Sequence, residues 1–598
     1  MQENLSKPPQ KFFISNDRLE KNKYISKRLL LGIILGICAL IPFISLFLNG
    51  SENILVAGFA KIFISWGEIL NNNQPQNETY NYFQAITPIL YKIIIKTVII
   101  LNCSPNFVIT FILAPICNIL FAISCFALLQ KITGKPFFAF LASLAVLAIM
   151  DINGIILAGS PKGLSLPFLI MFFYFNVSKS FVGKLISIAL AINLYPPFAL
   201  LILLTMIFQD NIFKDIIKIK KLSLNNGLFI ALVFEICLSI YFYYKSALTY
   251  GNIAFLNQAW DMNVFHSGQF FDFFNHNIKA FLFTNQRSAF MAGIGSSYGS
   301  ICSIFLTALI LFINMLTHFC STKKLSIFIP KDAALFHNIF KAVIVFYLLS
   351  SLFSFIFYLP SAVTATVLLI ITPINGFLIA AGKNDYMFFR KNNLLQKISA
   401  LLILLLSIVV LYNAGETSLK RRLLSQDEVE LANFIKNNSS KQPTVIAGLS
   451  PALGNLEIAA NVQTIGSRHH LMPFSSDFFI KQFNQISEML NAMFSFDKQL
   501  IDIFISKNNI SYLLLDNTTQ KTNLDAETIY NNPEYNWYFK TFKPTKGATP
   551  AFLKYQNSCL SLKNSSFILI DAQCLLDAKI KTSPQIPKKT RRTPFIVK

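Results

Sequence analysis

MDINGIILAGSPKGLSLPF, the stretch from Met150 to Phe168, places an aspartate, three glycines, two prolines and a lysine between two apolar runs. The flanking runs, Pro136–Met150 and Gly163–Asn176, are each shorter than the roughly 20 residues that a helix needs to cross a ~30 Å hydrocarbon core. The pattern predicts two short helices joined by a polar turn. The rest of the chain decides where this turn lies.

The composition identifies a membrane protein. Of the 598 residues, 54% are hydrophobic, 60 are Phe and only 14% are charged, whereas about 25% charged residues is usual in soluble domains. Seven runs have a length suited to membrane helices: Leu29–Leu48, Pro105–Gln130, Gly227–Lys245, Ile301–Cys320, Ala342–Leu359, Ser361–Ala381 and Ile398–Tyr412. Four shorter apolar runs accompany them: Pro136–Met150, Gly163–Asn176, Lys184–Leu194 and Pro196–Phe208.

The formal net charge of +23 reflects membrane orientation rather than nucleic-acid binding. Up to residue 397, one set of alternate loops holds 23 Lys and Arg, and the intervening loops hold 7. Basic residues collect in cytoplasmic loops, so the first set is predicted to be cytoplasmic, together with the N-terminal residues 1–28. The basic residues 581–598 are predicted to be a solvated tail.

This sidedness predicts a mainly α protein, a polytopic membrane helix bundle of about 11 crossings with its N-terminus inside and its C-terminus outside. The first run lacks a small-residue cleavage site and is predicted to be a retained signal anchor. The short helices barely span, so we expect them to thin the bilayer or to surround a cavity. The predicted parts are a membrane domain over 29–413 with outer loops 49–104, 151–162 and 246–300, and an extracytoplasmic α/β domain over 414–580.

The predicted outer segments carry their own patterns. The stretches ENILVAGFAKIFISWGEIL and ITPILYKIIIKTVIIL have the spacing of amphipathic helices that lie in a membrane interface. After residue 413, a capped helix beginning at Ser425, the strands TVIAGL and ISYLLLD, a helix from Asp477 to about Ser506, and a hairpin predict the α/β domain. Cys559 and Cys574 flank this hairpin, either as a disulfide or as two separately buried thiols.

The layout of a first membrane helix, a long outer loop with two interface helices, a cluster of short helices and a C-terminal outer domain resembles the GT-C superfamily of integral membrane glycosyltransferases. The resemblance covers roughly Leu29–Tyr412. Asn77-Glu78-Thr79-Tyr80 looks like a weakened form of the acidic motif of the first outer loop, which here has no DxD or DE pair. Asp151 falls where many members carry a second acid. The resemblance implies sugar transfer from a polyprenyl-phosphate carrier at the outer face.

Such a transfer needs a carboxylate to accept the proton of the acceptor hydroxyl and cations to stabilise the departing phosphate. The predicted bases are Glu78 and Asp151. The predicted substrate and phosphate contacts are Lys162, Arg287, Tyr195, Arg468 and His469. The alternative is that these side chains cap helices, anchor in headgroups or lie in solvated loops. We expect SRHHLMPF (Ser467–Phe474) to face the outer loops.

The predicted function is therefore a multi-pass glycosyltransferase of the bacterial inner membrane, with membrane lipid and a polyprenyl-phosphate-linked sugar as partners and no nucleic acid. The sequence identifies no cofactor with certainty, and a divalent metal ion is an open alternative. A transporter or lipid flippase is the rival class, because Glu235 interrupts the apolar run ALVFEICLSI. A non-catalytic envelope-assembly protein is the third.

Overall fold

The computed structural model describes most of residues 15–210 and 393–516, residues 557–578, and isolated positions within 230–251 and 342–346. The helices of the N-terminal part run in short, closely connected pieces. They are α1 (Ser15–Cys38), α2 (Ile41–Leu48), α3 (Ala60–Asn71), α4 (Glu78–Ile86), α5 (Ile89–Ile100), α6 (Pro105–Phe107), a π-helical segment (Val108–Leu113), α7 (Ala114–Thr133), α8 (Pro136–Ile152), α9 (Pro161–Val177), α10 (Phe181–Leu194) and α11 (Phe198–Asp210).

Only some of the described apolar helices are long enough to cross a membrane. Within the described ranges, Pro105–Thr133 and Leu401–Lys420 are long and apolar enough to cross. The first predicted run is instead two helices, α1 and α2, bent by 40° at a short break, and the pair counts as a third crossing if it is one span. Pro42 at the start of α2 explains the break, because proline lacks the N–H that would continue the helix. The count of about 11 crossings is still a prediction.

The core of this part is a helix bundle around α7. Helix α7 packs against α8, α9 and α1, and the long helix α12 (Asn393–Arg422) packs against α8 and α2. The contact of α12 with α2 is close at Gly415, where an added Cβ would lie 2.5 Å from the backbone oxygen of Pro42. Only glycine allows the two backbones to approach to this distance.

The C-terminal part is the α/β domain that its strands predict. Five strands form one sheet in the order β2-β1-β3-β5-β4: β1 (Val445–Gly448), β2 (Gln463–Ile465), β3 (Tyr512–Asp516), β4 (Leu560–Lys563) and β5 (Phe567–Asp571). The first three are parallel, and β5 is antiparallel to its neighbours β3 and β4. Its helices are α13 (Gln426–Asn438), α14 (Leu453–Ala459), α15 (Ser476–Met493), α16 (Lys498–Asn508) and α17 (Ala572–Asp577).

The structure answers two predictions about this domain, the helix cap at Ser425 and the state of Cys559 and Cys574. Ser425 and Glu428 form a capping box at the start of α13, with Ser425 N–H donating to Glu428 Oε2 over 2.8 Å and Glu428 N–H to Ser425 Oγ over 3.2 Å. Cys559 and Cys574 are bonded as a disulfide, which closes the end of the β4–β5 hairpin onto α17.

Residues 49–104, predicted as the first outer loop and called by that name below, differ from the prediction in one helix. Most side chains of α3 are buried, including Trp66 and Glu68, because α3 packs against α5 on one side and against α14 of the C-terminal domain on another. Helix α5 leaves Ile93 and Ile100 exposed, as a helix on a membrane surface does. The prediction of two interface-lying helices is therefore wrong for α3.

Several predicted segments lie outside the described residues. They are the runs Ile301–Cys320 and Ser361–Ala381, most of Gly227–Lys245 and Ala342–Leu359, most of the outer loop 246–300, and the tail 581–598.

Candidate functional site

Asp151 is a buried carboxylate rather than part of an open turn. Its side chain is 1% exposed at the C-terminal end of α8. Asn118 of α7, also fully buried, donates from Nδ2 to Asp151 Oδ2 over 2.9 Å and to the backbone oxygen of Ala39 over 2.9 Å. The other carboxylate oxygen, Oδ1, is buried without a hydrogen-bond partner among the described residues. The sequence places Asp151 at the start of the outer loop 151–162, whereas in the structure α8 continues through Asp151 to Ile152. Asn118 of α7 contacts its side chain.

The connection after Asp151 is a tight turn between α8 and α9. Gly154 and Gly159 have φ of 64° and 67°, the left-handed region that favours glycine. Ser160 caps α9 by accepting from Gly163 N–H over 3.2 Å, and Lys162, the second residue of α9, is partly buried. The carbonyl of Gly159 accepts from Tyr91 Oη over 2.9 Å. The turn is thus fixed to α5 of the first outer loop.

Glu78 lies elsewhere, on the surface of the contact with the C-terminal domain. It is the first residue of α4, where Asn77 caps the helix, and its carboxylate pairs with Lys481 of α15. Both side chains are more than half exposed. Glu78 and Asp151 share no hydrogen-bond partner in the part of the chain that the structure describes, so the two predicted bases are not one constellation there.

A second buried polar group joins α4 to the C-terminal domain. Glu457 of α14 and His470 are each 1% exposed, and His470 Nε2 lies 2.7 Å from Glu457 Oε1. Thr464 of β2 donates its hydroxyl to the same carboxylate oxygen, and Thr464 N–H donates to Tyr80 Oη over 3.2 Å. Burial, with the nearby charge of Glu457, raises the pKa of Tyr80 well above its ordinary range, so Tyr80 stays protonated.

Aromatic rings complete this contact. Phe478 of α15 stacks on Tyr82 of α4 with ring centroids 3.7 Å apart, and His470 meets the rings of Tyr80 and Phe83 edge-on at 6.0 and 5.3 Å. Such pairs contribute about 0.5–1.5 kcal/mol beyond the area they bury. The contact holds the C-terminal domain firmly on the first outer loop.

The other predicted site residues are only partly placed. Tyr195 directly follows the last residue of α10, is partly buried and packs edge-on against Phe198 with centroids 5.1 Å apart. Arg287, Arg468 and His469 lie outside the described residues. Their roles are still predictions.

Sequence reasoning missed Asn118, Glu457 and His470. Asn118 lies within an apolar helix, APICNILFAISCF, and a polar side chain in such a helix is a recognisable signal because it needs a buried partner. Glu457 offers no such signal, since LGNLEIA is an ordinary amphipathic pattern. His470 stands directly after the predicted His469, so the segment was identified and the residue was not.

No three His, Cys, Asp or Glu residues come close enough together in the described ranges to hold an ion. Asp151 has an amide rather than a second carboxylate beside it. A divalent metal ion stays an open alternative.

No family model matches the chain, and no curated protein matches its sequence. Among solved structures, it is similar to the oligosaccharyltransferase of Archaeoglobus fulgidus tethered to an acceptor peptide containing the NVT sequon, with 12% identity, a TM-score of 0.48, and coverage of 85% of this chain and 70% of that one. It is also similar to apo ArnT from Cupriavidus metallidurans, with 8% identity, a TM-score of 0.37, and coverage of 95% and 100%.

Proposed function

We propose that the chain is a membrane glycosyltransferase that moves a sugar from a polyprenyl-phosphate carrier to an envelope acceptor at the outer face of the bacterial inner membrane. The observation that supports the proposal best is the carboxylate of Asp151, with Oδ2 fixed by Asn118 and Oδ1 left without a partner among the described residues. A fixed carboxylate with one oxygen that accepts no hydrogen bond from the described residues suits the acceptance of a proton from a hydroxyl.

In the proposed reaction, the acceptor oxygen forms a bond to the anomeric carbon while the bond from that carbon to the carrier phosphate breaks. The bonding electrons leave with the phosphate oxygen, and the proton of the acceptor hydroxyl passes to Asp151 Oδ1. Lys162 is the second residue of α9, after the glycine-bearing turn, and is the predicted phosphate contact nearest to Asp151 along the chain. Glu78 is the weaker base candidate because its carboxylate is exposed and paired with Lys481.

The competing classes are a transporter or lipid flippase and a non-catalytic assembly protein. Transport places the essential ionisable group in a helix on the substrate path, and Glu235 is that candidate. A cell-based comparison separates the classes by measuring envelope carbohydrate for Asp151→Asn, Lys162→Ala and Glu235→Gln at matched protein levels. Loss in the first two with Glu235→Gln active supports transfer. Loss only in Glu235→Gln supports transport, and activity in all three supports assembly.

A further inference from the structure

Arg422 is a buried guanidinium at the end of the last described membrane helix. Its side chain is 3% exposed and follows the span Leu401–Lys420. Nε donates to the carbonyl of Leu55 over 2.7 Å, one terminal nitrogen donates to the carbonyl of Leu157 over 2.7 Å, and the other donates to Thr110 Oγ1 over 2.9 Å. Few side chains other than arginine offer three donors in one fixed plane.

The three acceptors belong to three separate segments of the chain, one of which is the turn after Asp151. Leu157 lies in the turn that follows Asp151, Thr110 lies in the π-helical segment that leads into the helix of Asn118, and Leu55 lies in the first outer loop. Backbone hydrogen bonds also join Arg422 and its neighbours to the segment of Leu55. Leu55 N–H donates to the carbonyl of Arg422 over 3.0 Å, and Leu424 N–H donates to the carbonyl of Asn53 over 2.8 Å.

Arg422 carries a charge that no described carboxylate pairs with. Burial lowers its pKa to about 10, so the side chain stays protonated at neutral pH. Burying an unpaired ion is costly, and an apolar side chain would fill the same space without that cost. Unlike an apolar side chain, the guanidinium donates hydrogen bonds to Leu55, Leu157 and Thr110 at once.

We propose that Arg422 is a positioning residue for the transfer reaction, which holds the turn after Asp151 against the first outer loop and the π-helical segment. This inference rests on the proposed function. It also links the C-terminal domain to the reaction site, because α12 ends at Arg422 and α13, the first helix of that domain, begins at Gln426.

The test compares Arg422→Gln and Arg422→Lys with Lys420→Gln, which removes an exposed cation from the same helix turn. Hydrogen–deuterium exchange of the full chain in nanodiscs measures protection of the segments around Leu55 and Leu157. Losing hydrogen bonds to a charged donor predicts exchange about tenfold faster in both segments for Arg422→Gln. We expect β1 and β3 to be unaffected, Arg422→Lys to be intermediate, and Lys420→Gln to match the wild type.

Transfer kinetics supply the second measurement. A displaced catalytic group predicts a kcat lower by about tenfold to a hundredfold for Arg422→Gln with little change in KM for the donor, partly restored in Arg422→Lys. Three results for Arg422→Gln would overturn the positioning role. The first is unchanged exchange at Leu157, and the second is exchange that is equally faster throughout the sheet of the C-terminal domain. The third is an unchanged kcat together with faster exchange. If the wild type transfers no sugar, the proposed function fails, and the positioning role, which depends on it, fails with it. If transfer occurs but the exchange of the two segments is unaltered, only the positioning role fails.

Discussion

Asp151 shows how a single polar side chain can be built into an apolar bundle. Its described partner is the amide of Asn118, which also donates to the carbonyl of Ala39 at the bend between α1 and α2. One amide therefore ties together the break in the first helix and the end of α8. An Asp at the end of an apolar run could be predicted to matter, but the sequence could not show that α7 would supply its partner.

Replacement of Asn118 tests this arrangement. Asn118→Ala removes both hydrogen bonds and leaves the carboxylate buried alone, so we expect a loss of about 1–3 kcal/mol in stability. In an Asp151→Asn background the loss should be smaller by about 0.5–3 kcal/mol, since the two groups interact directly. Unfolding of the solubilised protein measures both values. Asn193→Ala is the control, because Asn193 Nδ2 donates to its own helix over 2.8 Å; additive losses would contradict the pairing.

The Glu457–His470 pair makes a second prediction about individual residues. Glu457→Ala removes a buried carboxylate that lies beside His470 and accepts from the Thr464 hydroxyl, and we expect a loss of at least about 2 kcal/mol. The matched control is Glu488→Ala, which breaks an exposed pair with Lys507 and should cost at most about 1 kcal/mol. Denaturant unfolding compares the two variants. Equal costs would show that the buried pair does not hold the domain in place.

At the scale of helices and strands, local sequence signals predicted a helix start and several strands, but not the break between α15 and α16. The box at Ser425 and the strand motifs at β1, β3 and β5 were visible because capping and apolar patterns are local. The predicted helix from Asp477 to Ser506 is two helices, α15 and α16, since Asp497 caps a new start by accepting from Gln499 N–H over 2.9 Å. Strand β2 and helix α14 were missed because both are short.

The buried Glu68 of α3 should make the stability of the protein depend on pH. Its carboxylate accepts from Ser104 Oγ and from Asn106 N–H, each over 2.6 Å, at the start of the helix Pro105–Thr133. Burial raises the pKa of Glu68 despite these bonds, which lower it. Between the ordinary value of 4.5 and the raised value, the folded state binds more protons than the unfolded state, so this group's contribution to stability falls as pH rises.

The substitution Glu68→Gln removes that pH dependence. We expect the stability of Glu68→Gln relative to the wild type to improve as pH rises above about 4.5, because only the wild type must ionise a buried acid. Thermal unfolding over a pH series measures the difference. Glu488→Gln, on the exposed surface, serves as the control for the change of residue type, and parallel pH curves for Glu68→Gln and the wild type would refute the assignment.

The whole molecule combines a bundle of short helices with an α/β domain fixed to the first outer loop. Composition and charge pattern predicted both parts, because membrane helices and a polar domain differ strongly in composition. The contact between them could not be predicted, since Tyr80, Glu457 and His470 are brought together only by the fold.

The predicted orientation assigns each loop and the C-terminal domain to one side of the membrane. Reporter fusions at Asn225, Lys331 and Asn392 should report the cytoplasm, and fusions at Asn275 and Asn461 the outer side, because the basic loops are predicted to stay inside. Asn461 lies in the C-terminal domain, between α14 and β2. A cytoplasmic signal at Asn461 would place that domain, and the first outer loop packed on it, on the wrong side for an outer-face transferase.

Asp151 is proposed to support transfer of a lipid-linked sugar. The direct measurement incubates the purified chain in nanodiscs with a panel of labelled polyprenyl-phosphate sugars and envelope acceptors, and follows the label from carrier to acceptor. We predict transfer by the wild type, a loss of about a hundredfold or more in Asp151→Asn as expected for a general base, and retained transfer in Glu235→Gln. No transfer from any donor by the folded wild type, or full transfer by Asp151→Asn, would contradict the claim.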